Sequence, residues 1–178
     1  MVEPGIALWS PCGDIRTGEQ IKPATSCSSR AIQTPLAKAS IDVWAADAGL
    51  ANVRPAIDLD ATTPDWPIRH ADAVVCFKMI HIAPWSAAVG LVNGAARILP
   101  AGGPLYLYGP FRREGRHTAP SNERFDRDLR RQNLEWGVRD LEAVAALADA
   151  AGFPPPIIEV MPANNLSVIF RRGPGQTA

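Results

Sequence analysis

The chain has 178 residues, of which 47% are hydrophobic, so it can bury one core of ordinary size and is not a disordered tail. Eighteen Lys and Arg residues balance eighteen Asp and Glu residues, which argues against a protein that coats nucleic acid or binds anionic lipid. The apolar runs fall far short of the roughly 20 residues of a membrane span, and no signal-peptide pattern is present, so we expect a cytoplasmic protein without a membrane segment.

Neither the cysteines nor the histidines form a recognisable chemical motif. Cys12, Cys27 and Cys76 are odd in number and widely spaced, which argues against a disulfide framework or a cysteine-based zinc site. The three histidines lack metal-ligand spacing, and no serine lies in a Gly-x-Ser-x-Gly turn. We therefore predict no metal site and no nucleophilic triad.

The first 35 residues differ in character from the rest. They contain four prolines and three glycines and show no hydrophobic period of 2 or 3.6 residues, which predicts an irregular segment. An orderly pattern begins at Leu36. We expect one α/β domain over residues 36–172 and a disordered tail over residues 173–178.

Helices and strands alternate from Leu36 onward. The pattern predicts a helix over Leu36–Ala48, ended by Gly49, and a short strand over Val53–Leu59. The apolar run within Ala71–Ile82 gives the strongest strand signal and is typical of a strand buried on both faces.

The middle of the chain continues this alternation. Apolar spacing predicts a helix over Trp85–Leu99, and a strand over Leu105–Tyr108 follows. The charged segment after it predicts a loop and then a helix over Asn122–Arg131, capped by Ser121 or Asn122.

The last third predicts a helix from Asp140 to Gly152 and two strands over Ile157–Val160 and Leu166–Phe170. Their short connection favours an antiparallel pair. The whole order indicates a three-layer α/β fold with a mostly parallel sheet, right-handed crossovers and a C-terminal antiparallel hairpin.

In such a sheet the ligand crevice lies beyond the carboxyl ends of the strands. Asp58 and Asp60 either bind a polar ligand group such as a ribose or cap the following turn. His81 is either a general base or a core imidazole bonded to the backbone. Trp85 either lines a pocket or packs at a helix start.

Two further segments carry polar or unusual residues at strand ends. Gly109, after Tyr108, permits the close approach of a ligand or a neighbouring backbone, or else forms a tight turn with a packed Phe111. Asn122 fits a helix entry, and Asn164 lies between the last two strands, where asparagine is a common turn residue.

Five motifs, in this order, resemble those of the DUF938 family. They are Met79–Trp85, Leu105–Phe111, Ser121–Asp126, Trp136–Asp140 and Met161–Asn165. The family comprises small proteins similar to class I S-adenosylmethionine-dependent methyltransferases and includes the methyltransferase-like 26 group. The resemblance covers roughly Leu36–Arg172.

The resemblance implies a Rossmann-like methyltransferase fold and S-adenosylmethionine (SAM) as cofactor. The cofactor side would comprise Asp58, Asp60, Met79, His81 and Trp85. The acceptor side would comprise Tyr108, Asn122 and Asn164. Among these residues His81 is the candidate general base, and the methyl acceptor is open.

The chain also departs from the family pattern. It lacks the Ser-Gly-Thr-Gly-type loop and the Gln-Pro-Ser-Asp motif that follow the family's first two strands, and it has Lys78 where the family usually has asparagine. Both missing motifs would hold the cofactor. Without the first two strands, the strand that begins at Ala71 would also expose an edge and favour aggregation.

A frameshift would explain the loss. Ser26–Pro35 can be encoded by codons that, read from the third base of the Ser26 codon, give Leu-Gln-Gln-Pro-Ser-Asp-Pro-Asp-Pro directly before Leu36. Residues 1–35 would then be non-native sequence. Two functions stay open: a SAM-dependent methyltransferase, or a catalytically silent binding or scaffold domain.

Overall fold

The computed structural model describes residues 5–9, 26–30, 39, 42–43, 46–49 and 53–174. The strands are β1 (Gly5–Trp9), β2 (Ser26–Arg30), β3 (Val53–Asp58), β4 (Ala73–Phe77), β5 (Pro104–Gly109), β6 (Arg112–Arg113), β7 (Arg116–His117), β8 (Ile157–Met161) and β9 (Asn165–Arg171). The helices are α1 (Trp85–Ile98), α2 (Pro120–Gln132) and α3 (Leu141–Ala150), with 3₁₀ turns at Met79–His81 and Pro162–Asn164. No helix in these ranges is long and apolar enough to cross a membrane.

The seven strands of the main described sheet lie in the order β3-β2-β1-β4-β5-β9-β8. Strands β2, β3, β4, β5 and β8 run in one direction, and β1 and β9 run in the other. The predicted α/β fold and the antiparallel C-terminal hairpin are confirmed. The predicted mostly parallel sheet is confirmed in the sense that most of the described strands run in one direction. It is not confirmed for the pairing of neighbours, because β1 and β9 each lie between strands of opposite direction.

The expectation of an irregular segment before Leu36 is wrong at β1 and β2. Strand β1 pairs with β4 from Gly5 opposite Phe77 to Trp9 opposite Ala73. The predicted exposed edge beside β4 is therefore also wrong. A five-residue apolar strand is too short to show a period, and the polar β2 forms through pairing with its neighbours and not through its own propensity. Residues 10–25 lie outside the described ranges.

Two predicted elements have different ends in the structure. The strand expected over Ala71–Ile82 stops at Phe77, because Lys78 adopts a left-handed conformation with φ of 56° and a 3₁₀ turn follows. Helix α2 begins at Pro120, and its cap position, Ala119, has no side-chain bond. The predicted Ser121 or Asn122 cap is wrong because proline already fixes the first helical turn.

Other predictions after Leu36 agree with the structure where it describes them. Residues 39, 42–43 and 46–47 are helical, as the predicted helix requires, and residue 48 already lies in a turn. The other residues of that helix lie outside the described ranges. The segment expected as a loop also contains the β6–β7 hairpin, which turns at Glu114 and Gly115 with positive φ. The last four residues of the predicted tail are likewise outside the described part.

One hydrophobic cluster joins α1 and α3 to the sheet. Its sheet side consists of alternate residues, Val74, Cys76, Leu105, Leu107, Val168 and Phe170. Helix α1 contributes Leu91, Val92 and Ala95, and α3 contributes Val144 and Ala148. The alternation is that of strands that bury one face against helices.

Two glycines let α1 approach the segment that follows β3. A Cβ atom at Gly90 would collide with the carbonyl oxygen of Ala61, and one at Gly94 would collide with the indole ring of Trp66. Since Ala61 and Trp66 are themselves buried, neither can move aside easily.

We expect Gly94→Ala to lower the free energy of unfolding by about 2 kcal/mol, because overpacking outweighs the gain in helix propensity. Urea unfolding measures the change. Asn93→Ala, at the neighbouring exposed position of α1, is the control and should be neutral or stabilising. A stabilised Gly94→Ala variant would contradict the close contact with Trp66.

Candidate functional site at the carboxyl edge of the sheet

Strands β2, β3, β4 and β5 end at the same edge of the sheet. Arg30 at the end of β2 lies opposite Asp58 in β3, and Phe77 in β4 lies opposite Tyr108 in β5. Strand β1 contributes its first residue, Gly5, to this edge, and its last residue lies at the other edge. The crevice is therefore bounded by the segments that follow β3, β4 and β5.

Asp60 follows β3 and fixes the next turn. Its Oδ1 atom accepts hydrogen bonds from the backbone N–H of Thr62 at 2.8 Å and from the Thr62 hydroxyl at 2.7 Å. These bonds are those of the capping interpretation. The predicted ligand role of Asp60 stays a prediction, and the side chain of Asp58 lies outside the described part of the structure.

A groove of about 490 Å³ separates this turn from α1. Its lining residues are Thr62, Thr63, Pro64, Trp85, Ser86, Val89, Gly90, Asn93 and Arg97. Trp85, 37% exposed, lies at the end of the groove next to the crevice. At the far end Arg97 donates a hydrogen bond to the carbonyl oxygen of Pro64 at 2.7 Å. The structure thus brings the Asp60 turn and Trp85 to one groove.

The segment after β4 turns at the carboxyl edge of the sheet. The backbone N–H of Lys78 donates to the carbonyl oxygen of Tyr108 at 2.8 Å, which holds the exits of β4 and β5 together. Met79 is only 1% exposed and belongs to the hydrophobic core. The structure therefore gives the predicted cofactor residue Met79 a packing role.

His81 is completely buried at the end of this segment. Its Nδ1 atom accepts a hydrogen bond from the backbone N–H of Arg139 at 3.2 Å, which places the ring proton on Nε2. Nε2 has no hydrogen-bond partner among the residues that the structure describes, and it lies 2.6 Å from the position that a Cβ atom would take at Gly109. The ring meets Phe111 edge-on, with centroids 5.0 Å apart.

The charge state of His81 follows from this environment. Burial first, then the charges of Arg139 and Lys78, lower the pKa of His81 to about 3. The imidazole is neutral near pH 7, and its basic nitrogen is already bonded. This geometry favours the core-imidazole alternative over the general base. It also shows that Gly109 accommodates the His81 ring.

The predicted acceptor-side residues Asn122 and Asn164 lie together. The Asn122 amide, 5% exposed, donates to the Thr118 hydroxyl at 3.0 Å and to the carbonyl oxygen of Asn164 at 2.9 Å. The Asn164 amide donates in turn to the Ser121 hydroxyl at 3.1 Å. These bonds dock the start of α2 on the hairpin between β8 and β9.

Tyr108 joins the same group of residues through a neighbour that the sequence did not single out as a site residue. The Asn165 amide donates to the Tyr108 hydroxyl at 3.3 Å and to the carbonyl oxygen of Pro162 at 3.2 Å. The antiparallel pairing of β5 with β9 creates this contact. If the register of the β5–β9 pairing had been predicted from the sequence, it could have identified Asn165 as a neighbour of Tyr108.

Arg139 is a second residue that sequence reasoning missed. Its guanidinium donates to the carbonyl oxygens of Ile80 at 2.8 Å, of Glu135 at 2.9 Å and of Ala83, and it lies 5.7 Å from the ring centroid of Trp85. Burial first, then the charge of Arg130, lower the pKa of this guanidinium. A motif of the resemblance contains Arg139, but only the fold reveals its partners.

Asp126 fixes the connection between α2 and α3 from the other side. Its carboxylate accepts hydrogen bonds from the backbone N–H of Val138 at 2.6 Å and from Arg130 at 3.1 Å. The neighbouring N–H of Gly137 donates to the carbonyl oxygen of His81 at 2.8 Å. This connection is therefore bonded directly to the segment after β4.

Solved structures, among them those of methyltransferases, share this architecture. A human N-acetylserotonin methyltransferase in complex with SAM is similar with a TM-score of 0.60 and 17% identity over 74% of this chain and 38% of that chain. An O-methyltransferase family protein from Burkholderia thailandensis gives 0.65 and 17% over 78% and 41%. The YcgJ protein from Bacillus subtilis gives 0.62 and 15% over 83% and 82%. The chain thus spans about two fifths of the length of the first two and has a Rossmann-like methyltransferase fold.

The sequence model of DUF938, described as a protein of unknown function, matches residues 23–172. The chain belongs to this family. The match begins before Leu36, where the resemblance was expected to start, and so includes all of β2.

The burial of His81 predicts a pH dependence of stability. The unfolded chain protonates this histidine near its ordinary pKa of 6.5, and the folded protein does so only near pH 3. The unfolded state therefore binds more protons between these values, and the free energy of unfolding falls as the pH drops from 6.5 towards 3. One such group contributes at most about 1.4 kcal/mol per pH unit.

Urea unfolding of wild type and His81→Gln from about pH 7 to about pH 5 checks this, and the variant should show the shallower slope. His70→Gln is the control, because its side chain is 63% exposed. Equal slopes in wild type and His81→Gln would be incompatible with a neutral buried His81.

Proposed function

We propose that this chain binds SAM at the carboxyl edge of the sheet and is a SAM-dependent methyltransferase whose acceptor is not yet defined. One observation carries the proposal: the turn fixed by Asp60 and the ring of Trp85 meet at a groove of about 490 Å³, a volume typical of small-ligand sites. Several solved structures of the same fold contain SAM or its demethylated product, S-adenosylhomocysteine (SAH).

The adenosine half of SAM fits these residues best. The Asp60 carboxylate would accept hydrogen bonds from ribose hydroxyls, and the Trp85 ring would pack against the adenine. When bound, SAM supplies a methyl group on an electrophilic sulfonium. The chain's own part is to hold the acceptor in line with it, and such positioning accounts for much of the rate of a transfer reaction.

The acceptor side consists of neutral groups. Asn122, Asn164 and Tyr108 offer amide and hydroxyl groups beside the exits of β5 and the hairpin. Because His81 is neutral and its basic nitrogen is bonded, it does not remove a proton from the acceptor. The proposed site therefore suits a polar, uncharged acceptor that needs no deprotonation by His81.

A second candidate function is supported by the direction of β1. Because β1 runs against β4, the chain leaves β1 from the edge of the sheet opposite the crevice. A glycine loop that holds the methionine half of SAM would instead begin at the crevice edge, directly after its strand. This favours a domain that binds a ligand weakly and does not turn it over.

Isothermal titration with SAH tests the proposal. Wild type should bind, and Asp60→Asn should bind about tenfold more weakly, since a charged acceptor is lost while the amide oxygen still caps Thr62. Asp65→Asn, at an exposed position of the same segment, is the control and should bind as wild type does. Absence of wild-type binding at millimolar SAH would reject the methyltransferase proposal.

A segment replacement tests the proposed frameshift. Strand β2 ends at the crevice, and the shifted reading places an aspartate at position 32, two residues after Arg30. We expect replacement of residues 27–35 by Leu-Gln-Gln-Pro-Ser-Asp-Pro-Asp-Pro to tighten SAH binding about tenfold or more, because carboxylates at this edge bind ribose hydroxyls. The control carries asparagine in place of the aspartate in Ser-Asp. Equal affinity of the two replacements would argue against the restored carboxylate.

A further inference from the structure

We propose that Arg139 is a positioning residue that holds the segment after β4 and the ring of Trp85 in the shape required for ligand binding. The inference rests on the proposed function and extends it to a residue outside the groove. It assigns to the connection between α2 and α3 the task of keeping one wall of the crevice in place.

The contacts of Arg139 span the whole segment. Nε binds the carbonyl oxygen of Ile80 in the 3₁₀ turn, and Nη2 binds that of Ala83 just before α1. Nη2 also binds the carbonyl oxygen of Glu135, which ties the segment to the end of the α2 region. The planar fork of an arginine can serve such divergent acceptors, and a lysine ammonium at one point cannot.

The guanidinium also contacts the side chain that lines the groove. It lies 5.7 Å from the ring centroid of Trp85, within the range of a cation–π interaction. Trp85 begins α1 and is 37% exposed, so burial alone does not fix its ring. The position of this groove wall therefore depends on a residue that does not line the groove.

Arg139 is itself held in place by its neighbours. Its backbone N–H is bonded to His81 Nδ1, and the N–H of Gly137 is bonded to the His81 carbonyl oxygen. The Asp126 carboxylate holds Val138 between them. The backbone of Arg139 is thus fixed by hydrogen bonds, and the side chain extends from this fixed point to the segment after β4. Arg139 therefore differs from a flexible surface arginine.

The chain supplies a matched control in Arg172. Its guanidinium also donates to two backbone carbonyl oxygens, those of Ala96 at 3.1 Å and Gly152 at 2.9 Å, and also lies 5.7 Å from an aromatic centroid, that of Phe153. It follows Arg171, which pairs with Pro104 at the start of β5, so it lies at the opposite edge of the sheet. Its substitution should cost similar stability without touching the crevice.

The experiment compares Arg139→Lys with Arg172→Lys in the full chain. Thermal unfolding measures stability, SAH titration is done at a temperature where both variants are folded, and hydrogen exchange follows the amides of residues 79–86. We expect a similar loss of stability in both variants. Only Arg139→Lys should bind SAH about tenfold more weakly and exchange faster in residues 79–86.

Each other outcome overturns the inference. If wild type binds SAH and Arg139→Lys binds equally well, Arg139 does not position the site. If both variants weaken binding equally, the effect is one of general stability. Failure of wild type to bind SAH rejects the proposed function itself, and it is seen before any variant is compared.

Discussion

The buried imidazole of His81 is the contact on which the crevice depends. It joins three parts of the chain: its ring lies against Gly109 and Phe111 after β5, its Nδ1 atom binds the N–H of Arg139, and its carbonyl oxygen binds the N–H of Gly137. A side chain larger than hydrogen at position 109 would displace the ring. The neutral state of the imidazole follows from the same burial, so the group that organises the site is removed from proton transfer.

This arrangement gives the motifs of the family resemblance a physical meaning. The segments Met79–Trp85, Leu105–Phe111 and Trp136–Asp140 are far apart in sequence, yet all three meet at His81. A fourth, Ser121–Asp126, provides the carboxylate that holds Val138 beside them. Much of the motif series is therefore explained by packing around one ring. Of the residues that could touch a ligand, Trp85 ends the first of these segments, and Asn164 lies in the fifth motif, Met161–Asn165.

The elements with a clear period could be predicted from the sequence, and those formed by pairing could not. The helix at Trp85 and the strands β5 and β9 agree because their apolar spacing matches their burial. Strand β8 also lies where it was predicted, although its apolar residues Ile157 and Val160 are exposed. Strand β2 has the polar sequence Ser-Cys-Ser-Ser-Arg and exists only beside its neighbours. Likewise, the sequence alone did not decide whether His81 is a general base or a core imidazole. The hydrogen bond that decides it comes from Arg139, which is 58 residues away.

The direction of β1 shows how the fold can persist while one side of a ligand site changes. The edge of β4 needs a strand to satisfy its backbone groups, and an apolar strand of either direction meets that need. Reversal keeps the sheet and its core, but it moves the connection that follows the strand to the opposite edge. The walls after β3, β4 and β5 keep their positions because they are held by Asp60, His81 and Arg139. A change before Leu36 can therefore alter the contacts that β1 and β2 bring to the proposed site, while the walls after β3, β4 and β5 keep their own hydrogen bonds.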